Sequence, residues 1–345
     1  MLIRTNGNGS KKPHVILAYP KSGLDFGSTV SPPHALLTVA APLLKAGYTV
    51  KLLDQRTQPI TEEILRGVVS SDLLAVGIST MTGSQVFFAL MLAKMVRKVA
   101  PNVPIVWGGC HPSVMPEQTL AHPLVDIVAI GEGDDTMLDI LEALGAHRSL
   151  GTVPGIMYQD GLTPVKTLPR AMINVEELLP VPWELVEPEK YIHRDMYLRD
   201  RHRVLDIGQT SRGCPFDCSF CSSASIRERK WRAMSVERVL DDLKEAIARF
   251  RLDGWWWRDD EFYIKRKRAH AIMEGIVAAG IDGSFYTSGT RCDVFGKATE
   301  DEVAVMKKAG AHTLKFGAES GSQRILDLMQ KGITVEQTLE ANQKC

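Results

Sequence analysis

From His14 onward the chain alternates short runs of β-branched and aliphatic residues with longer stretches in which apolar positions recur at helical spacing. That alternation is the pattern of a mostly parallel sheet covered by helices on both faces. Five strands are predicted, over residues 15–19, 49–54, 73–78, 104–107 and 126–130, each apolar throughout, as strands buried on two faces must be. Helices are predicted over 33–45, stopped by Gly47; over 61–69; over 84–99, stopped by Pro101; and over 135–144. Pro42 is expected to bend the first of them.

In open α/β sheets, ligands sit outside the carboxyl ends of the strands, which makes the loops there the candidates. Four stand out: residues 20–31, Ser79-Thr80-Met81-Thr82-Gly83-Ser84, Gly108-Gly109-Cys110-His111-Pro112, and Gly131-Glu132-Gly133-Asp134. Glycine and small hydroxyl residues dominate them, which lets backbone approach a large flat ligand. Any one loop alone reads more simply as a tight turn; their coincidence marks Thr80, Thr82, Gly108, Gly109, His111, Gly131 and Glu132 as candidate cofactor contacts.

A hairpin is predicted next, residues 155–159 and 163–167 about Asp160-Gly161, followed by a Pro-rich passage over 179–188. At 345 residues the chain is too long for one core. The expected division is a disordered polar leader 1–13, an α/β domain 14–150, a linker 151–203 and a second domain 204–345.

The second domain opens with a predicted strand over 204–208 that runs into Thr210-Ser211-Arg212-Gly213-Cys214-Pro215-Phe216-Asp217-Cys218-Ser219-Phe220-Cys221, a C-x3-C-x2-C spacing. Three thiolates on one such loop can hold three irons of a cubane cluster and leave the fourth iron open to a ligand. Zinc competes for thiolates so placed, but a structural zinc site wants four ligands and no second CxxC or nearby histidine supplies the fourth. An electron-transfer ferredoxin also wants a fourth cysteine, for which Cys292 is a remote candidate.

Composition narrows the partners. Lys and Arg number 41 and Asp and Glu 41, so there is no basic field for nucleic acid and no acidic tail. No apolar run approaches the roughly 20 residues that cross a bilayer, and neither nucleic acid nor a membrane is expected as a partner. Three of the six cysteines cluster and Cys110, Cys292 and Cys345 stand alone, which is not a secreted disulfide framework. A reducing cytoplasm is expected.

The cysteine loop, with Phe220 before its last cysteine, resembles the C-x3-C-x-aromatic-C motif of the radical S-adenosylmethionine (radical SAM) superfamily. The resemblance implies a [4Fe-4S] cluster on Cys214, Cys218 and Cys221 whose open iron chelates S-adenosylmethionine, and reductive cleavage of that molecule to a 5′-deoxyadenosyl radical. Residues 255–262, 285–291 and 314–321 match the second, third and fourth strand ends of the family's (β/α)6 barrel. Carried over, Asp260 meets the methionine amino group, Arg291 the carboxylate region, and Glu319 or Ser320 the ribose side. Read as residues alone, Asp260 equally caps a helix, Arg291 is equally an ion-pair partner, and Trp255, Trp256 and Trp257 are core or cleft wall.

With an α/β domain before it, the whole resembles the cobalamin-binding branch of the superfamily, carried by residues 31–47, 108–117 and 125–133. This implies a flavodoxin-like domain holding cobalamin. The familiar D-x-H-x-x-G motif is missing: Leu24-Asp25-Phe26-Gly27 has no histidine. Cobalamin held without a histidine ligand is therefore implied; His111 is the substitute candidate, although an isolated histidine beside Pro112 on a loop is more often a hydrogen-bonding residue. The implied reaction is radical methylation of an unactivated carbon on a small-molecule substrate, with a flavodoxin- or ferredoxin-type electron donor. Radical cyclisation or ring rearrangement without methyl transfer is the alternative reaction, and a cobalamin or Fe-S sensor the alternative without catalysis. The chain reaches only the fourth of the barrel's six strand–helix units, so a partial barrel from a C-terminally truncated form of a longer protein is expected.

Overall fold

The computed structural model describes residues 12–25, 30–198 and 201–345; most of the leader expected over 1–13, and Phe26-Gly27 of the first strand-end loop, lie outside them. The described residues form two compact units, one of residues 12–25, 33–171 and 179–186, the other of residues 30–32, 172–178, 187–198 and 201–345.

The first unit is built on one sheet whose strands are β1 (Val15–Tyr19), β2 (Val50–Asp54), β3 (Ala75–Ser79), β4 (Ile105–Gly108), β5 (Ile127–Ala129), β6 (Ile156–Asp160) and β7 (Thr163–Lys166). They lie in the order β2-β1-β3-β4-β5-β6-β7, the first five parallel and the last two antiparallel. The sheet thus has seven strands where the apolar pattern predicted five, because the hairpin placed in a linker adds to its edge. The reason is burial: Ile156, Met157 and Tyr158 pair with Ala129, Val128 and Ile127 and are buried there, which removes the bare parallel edge that β5 would otherwise present.

Helices cover both faces. On one, Ala89, Leu92, Ala93 and Val96 of helix Ser84–Val99 pack on Ile16, Val76, Ile78, Ile105 and Trp107. Helices His34–Lys45 and Asp134–Gly145 pack against each other and bury Leu36, Leu37, Leu43, Met137, Ile140 and Leu141. The first of these runs through Pro42 without a break. Two short helices the pattern did not show, Cys110–Val114 and Pro116–Leu120, follow β4. Their prolines sit in first turns, where no intrahelical N–H donor is required, and five residues are too few to display a helical period. His111 is therefore in the first turn of a helix and not on an open loop.

The second unit carries β8 (Val204–Asp206), β9 (Ser211–Arg212), β10 (Arg232–Ala233), β11 (Gly254–Trp257), β12 (Ser284–Thr290) and β13 (Ala311–Phe316). Four of them form a wholly parallel sheet in the order β13-β12-β11-β8, while β9 and β10 pair antiparallel by themselves. Helices Val236–Phe250, Arg266–Ala278 and Glu300–Lys308 follow β10, β11 and β12. The period-2 alternation of strands splits the tryptophan run. Trp255 and Trp257 join Phe285, Phe262 and the apolar helix faces in the core, with Trp255 stacked on Phe285 at 5.3 Å. Trp256 points to the other face, stacked on Tyr286 at 5.3 Å. Among the described residues no helix is long and apolar enough to cross a membrane.

Phe285 has no exposed surface, so Phe285→Ala is expected to lower stability by about 3–5 kcal/mol. Val277→Ala, at a position 42 % exposed, is expected to stay within about 0.5 kcal/mol of wild type. Denaturant titration followed by tryptophan fluorescence checks both.

Candidate functional site

The cysteine loop leaves β8 and is closed by the β9–β10 pair, where Arg212 meets Arg232 and Ser211 meets Ala233. Gly213, with φ +90°, stands at its entrance, and a Cβ there would lie 2.1 Å from the carbonyl oxygen of Lys230. Only glycine lets the two ends of the loop approach so closely. The Gly213 N–H donates to Asp260 Oδ2 at 2.8 Å, which ties the loop to the end of β11. Cys214 is half-buried, Cys218 buried and Cys221 exposed. Burial pushes the Cys214 thiol up, with a backbone hydrogen bond and Arg291 acting against it. Among the described residues no three His, Cys, Asp or Glu side chains converge as one metal ion requires. A cubane asks for something else, one iron per thiolate.

Arg291, at the end of β12, is the hub. Its N–H donates to Glu261 Oε2 at 2.8 Å, Nε to Asp293 Oδ1 at 2.9 Å, and Nη2 to the Lys331 carbonyl at 2.9 Å. Nη1 reaches Cys218 Sγ at 3.7 Å, and the guanidinium lies 3.5 Å from the centroid of the Phe216 ring. The structure therefore aims Arg291 at the cysteine loop. Lys331 Nζ in turn bonds Glu319 Oε1 at 3.0 Å and lies 5.6 Å from the ring of Phe220, which is exposed. Glu319 adopts a left-handed backbone, φ +59°, a conformation uncommon for a residue with a side chain and one worth noting at a strand end. Ser320 turns into its own loop, its Oγ accepting from the Ser322 N–H at 3.1 Å. Cys218, Arg291, Lys331 and Glu319 thus form one connected chain, with Asp260 joined through Gly213.

Two carboxylates beside Asp260 were missed by reading one residue per strand end; the run Asp259-Asp260-Glu261 directly after an apolar strand was the signal. Asp259 Oδ1 accepts from the Thr210 N–H and hydroxyl at 3.0 Å each and from the Ser211 hydroxyl, while Oδ2 is buried without a partner. Burial raises Asp259 to about 6 from 3.8 and Glu261 to about 7 from 4.5, against the hydrogen bonds each accepts. Lys331 carried no signal in the sequence, since it follows a short helix and touches the site only through the fold.

In the first unit the strand-end loops are cross-linked. The Gln85 side chain donates to the Pro20 carbonyl at 3.0 Å, linking the loops after β1 and β3. Thr80 N–H donates to the Gly108 carbonyl at 2.8 Å and His111 N–H to the Thr80 carbonyl at 3.1 Å, linking those after β3 and β4. Ser113 Oγ accepts from the Gly131 N–H at 2.9 Å, adding the loop after β5. Gly109, φ +100°, has no room for a side chain: a Cβ would lie 2.8 Å from the Thr80 carbonyl oxygen. Thr82 Oγ1 and His111 Nδ1 are 3.3 Å apart, and burial lowers the His111 pKa. The Glu132 side chain is buried and its carbonyl accepts from the Thr136 hydroxyl. Thr80 Oγ1 is buried with no hydrogen-bond partner, and open space lies above Gly131. An orphan hydroxyl beside glycine-built backbone, near the β1/β3 reversal of strand order, suits a ligand that brings its own polar groups.

Family models match both units: the B12 binding domain over residues 28–141 and the Radical SAM superfamily over residues 209–345. An uncharacterised methyltransferase of Pyrococcus horikoshii is 33 % identical over 91 % of this chain and 66 % of its own length. The anaerobic magnesium-protoporphyrin IX monomethyl ester cyclase of Synechocystis is 28 % identical over 94 % of this chain and 64 % of its own. Among solved structures, the cobalamin-dependent S-adenosylmethionine radical enzyme OxsB, with aqua-cobalamin and S-adenosylmethionine bound, superposes with a TM-score of 0.75 at 25 % identity, over 97 % of this chain and 48 % of that one. The radical S-adenosylmethionine methyltransferase TsrM of Kitasatospora setae, with cobalamin and a [4Fe-4S] cluster bound, shares the fold at a TM-score of 0.75 and 17 % identity, over 97 % of this chain and 65 % of that one. The chain spans between about a third and two thirds of the length of the curated relatives it matches.

Gly213→Ala is expected to cost about 2 kcal/mol or more, from left-handed strain and the Lys230 clash, with a matching loss of iron on reconstitution; full iron loading would contradict the reading. The raised carboxyls carry a pH signature. The native state holds their protons more tightly than the unfolded chain, so their contribution is present at low pH and is lost as pH rises through about 4 to 7. Glu261→Gln, which cannot ionise, should flatten that fall relative to wild type in denaturant midpoints taken from pH 4.5 to 8.

Proposed function

We propose, on the premise that this chain belongs to the radical SAM proteins that carry an N-terminal B12-binding domain, that it cleaves S-adenosylmethionine reductively and methylates an unactivated carbon of a small-molecule substrate. The observation that supports this best is the bracing of the cysteine loop by the ends of β11 and β12, Gly213 on Asp260 and Cys218 on Arg291. Cys214, Cys218 and Cys221 would hold a [4Fe-4S] cluster. When bound, the cluster supplies the electron that opens S-adenosylmethionine, and cobalamin supplies the methyl group.

The chain's own residues do the holding and shielding. Arg291 places a fixed positive charge beside the Cys218 sulfur, where it would meet the negative charge of a thiolate-held cluster. Asp260 keeps one carboxylate oxygen on the loop and is exposed, so its other oxygen is available to an amino group. Glu319, held by Lys331, would offer its carboxylate to a ribose hydroxyl. Thr80, Thr82, Gly108, Gly109, His111, Gly131 and Glu132 would cradle cobalamin through backbone and hydroxyl groups, and Thr82 at 3.3 Å occupies His111 Nδ1. A flavodoxin- or ferredoxin-type protein would supply electrons. The relatedness to the Synechocystis cyclase favours a second reading, oxidative ring formation without methyl transfer.

Anaerobically reconstituted protein given dithionite and S-adenosylmethionine is expected to form 5′-deoxyadenosine, and Cys218→Ala to lose both iron and that product. Equal deoxyadenosine from Cys218→Ala would sink the radical reading. Deoxyadenosine without a methylated product would favour the cyclase.

A further inference from the structure

The sheet face opposite the helices of the second unit carries a cation that the reading above leaves unused. Asp206, Trp256 and Tyr286 are in register across β8, β11 and β12, and Lys315 of β13 lies over the same group. Its Nζ is 3.9 Å from the centroid of the Tyr286 ring, 4.2 Å from that of Tyr197 and 5.8 Å from that of Trp256. Beside it the Arg258 guanidinium lies 4.7 Å from the centroid of the Trp256 ring.

The nearby carboxylates are already committed. Asp195 accepts from the Tyr286 hydroxyl at 3.0 Å and from the Tyr197 N–H at 2.8 Å. Asp206 accepts from Arg258 Nε at 2.8 Å, Arg258 Nη2 at 2.6 Å and the Gly208 N–H at 3.0 Å. Among the described residues Lys315 Nζ makes no hydrogen bond, and the partly exposed lysine presents its three N–H donors to the rings and to the open side of the group. Ring faces attract the charge but supply no acceptor oxygen, and burial lowers the lysine's pKa. An incoming anionic oxygen group would satisfy the donors through charge-assisted hydrogen bonds. Tyr197, 47 % exposed, leaves the trough open on one side.

We propose that Lys315, flanked by Arg258 on the floor of Trp256 and Tyr286, anchors a carboxylate or phosphate group of the substrate. This rests on the enzymatic reading above and narrows its substrate to an anionic molecule.

The test uses the full chain with phenyl phosphate and benzoate as probes and benzyl alcohol as the neutral counterpart, read by ligand-detected NMR titration. Wild type should bind at least one of the anions, Lys315→Gln should weaken it about tenfold or more, and Lys315→Arg should retain it. Preference for phenyl phosphate assigns a phosphate group, and preference for benzoate a carboxylate. Should Lys315→Gln fail to fold, acetic anhydride labelling of wild type with peptide mass mapping takes its place: the bound anion must protect Lys315. Equal binding by wild type and Lys315→Gln, absence of anion binding, unprotected labelling, or displacement of the probe by S-adenosylmethionine on cluster-loaded protein would each overturn the proposal. Probe binding is read without turnover, so its failure is separate from any failure of the Cys218→Ala experiment.

Discussion

The contact on which the second unit's site depends is the buried guanidinium of Arg291. A charge taken this far out of water is tolerated only when each face and edge of it is answered. Here Asp293 takes one edge, the Lys331 carbonyl another, the Cys218 sulfur a third, and the Phe216 ring covers the plane. These partners come from three pieces of chain, the cysteine loop, the turn after β12 and the segment at Lys331, so satisfying one group fixes the relative position of all three. Lysine could not do this, having no planar fork to spread over so many directions. The same residue's N–H caps Glu261, which adds the end of β11 to the group.

The two units solve the same problem with different materials. In both, chemistry gathers at the carboxyl ends of parallel strands, where loops from neighbouring strands come within bonding distance. The first unit links its loops through backbone groups such as those of Thr80 and neutral side chains such as Gln85 and Ser113, and leaves its polar surface for a large ligand to complete. The second links them with charges, several of them buried and held away from their ordinary protonation. One arrangement suits recognition of a preformed ring by shape, the other the fixing of reactive groups in place.

Much of this was legible in the sequence because the signals were local. Strand β1 and helix Ser84–Val99 fall where the apolar pattern puts them, and the cysteine spacing needs no fold to be recognised. What was not legible is relational. The hairpin's turn was readable, but nothing in its own residues says that its partner is β5. The helix at Cys110 is shorter than the period that would reveal it. Trp255, Trp256 and Trp257 read alike as letters and separate only when a strand sends neighbours to opposite faces. Arg291 was picked as a site residue, yet its engagement with Cys218 across 73 positions could come only from the fold.

The paired edge of the first sheet bears on how this protein could be taken apart. A designer seeking the N-terminal unit alone would be drawn to cut where the helical pattern ends, after helix Asp134–Gly145. Such a piece would keep all five parallel strands and every loop of the proposed cobalamin cradle, yet it would leave the backbone groups of β5 without the partners β6 now provides. Strand edges of that kind recruit other strands, and the excised piece would be prone to self-association through a surface the intact chain keeps sealed.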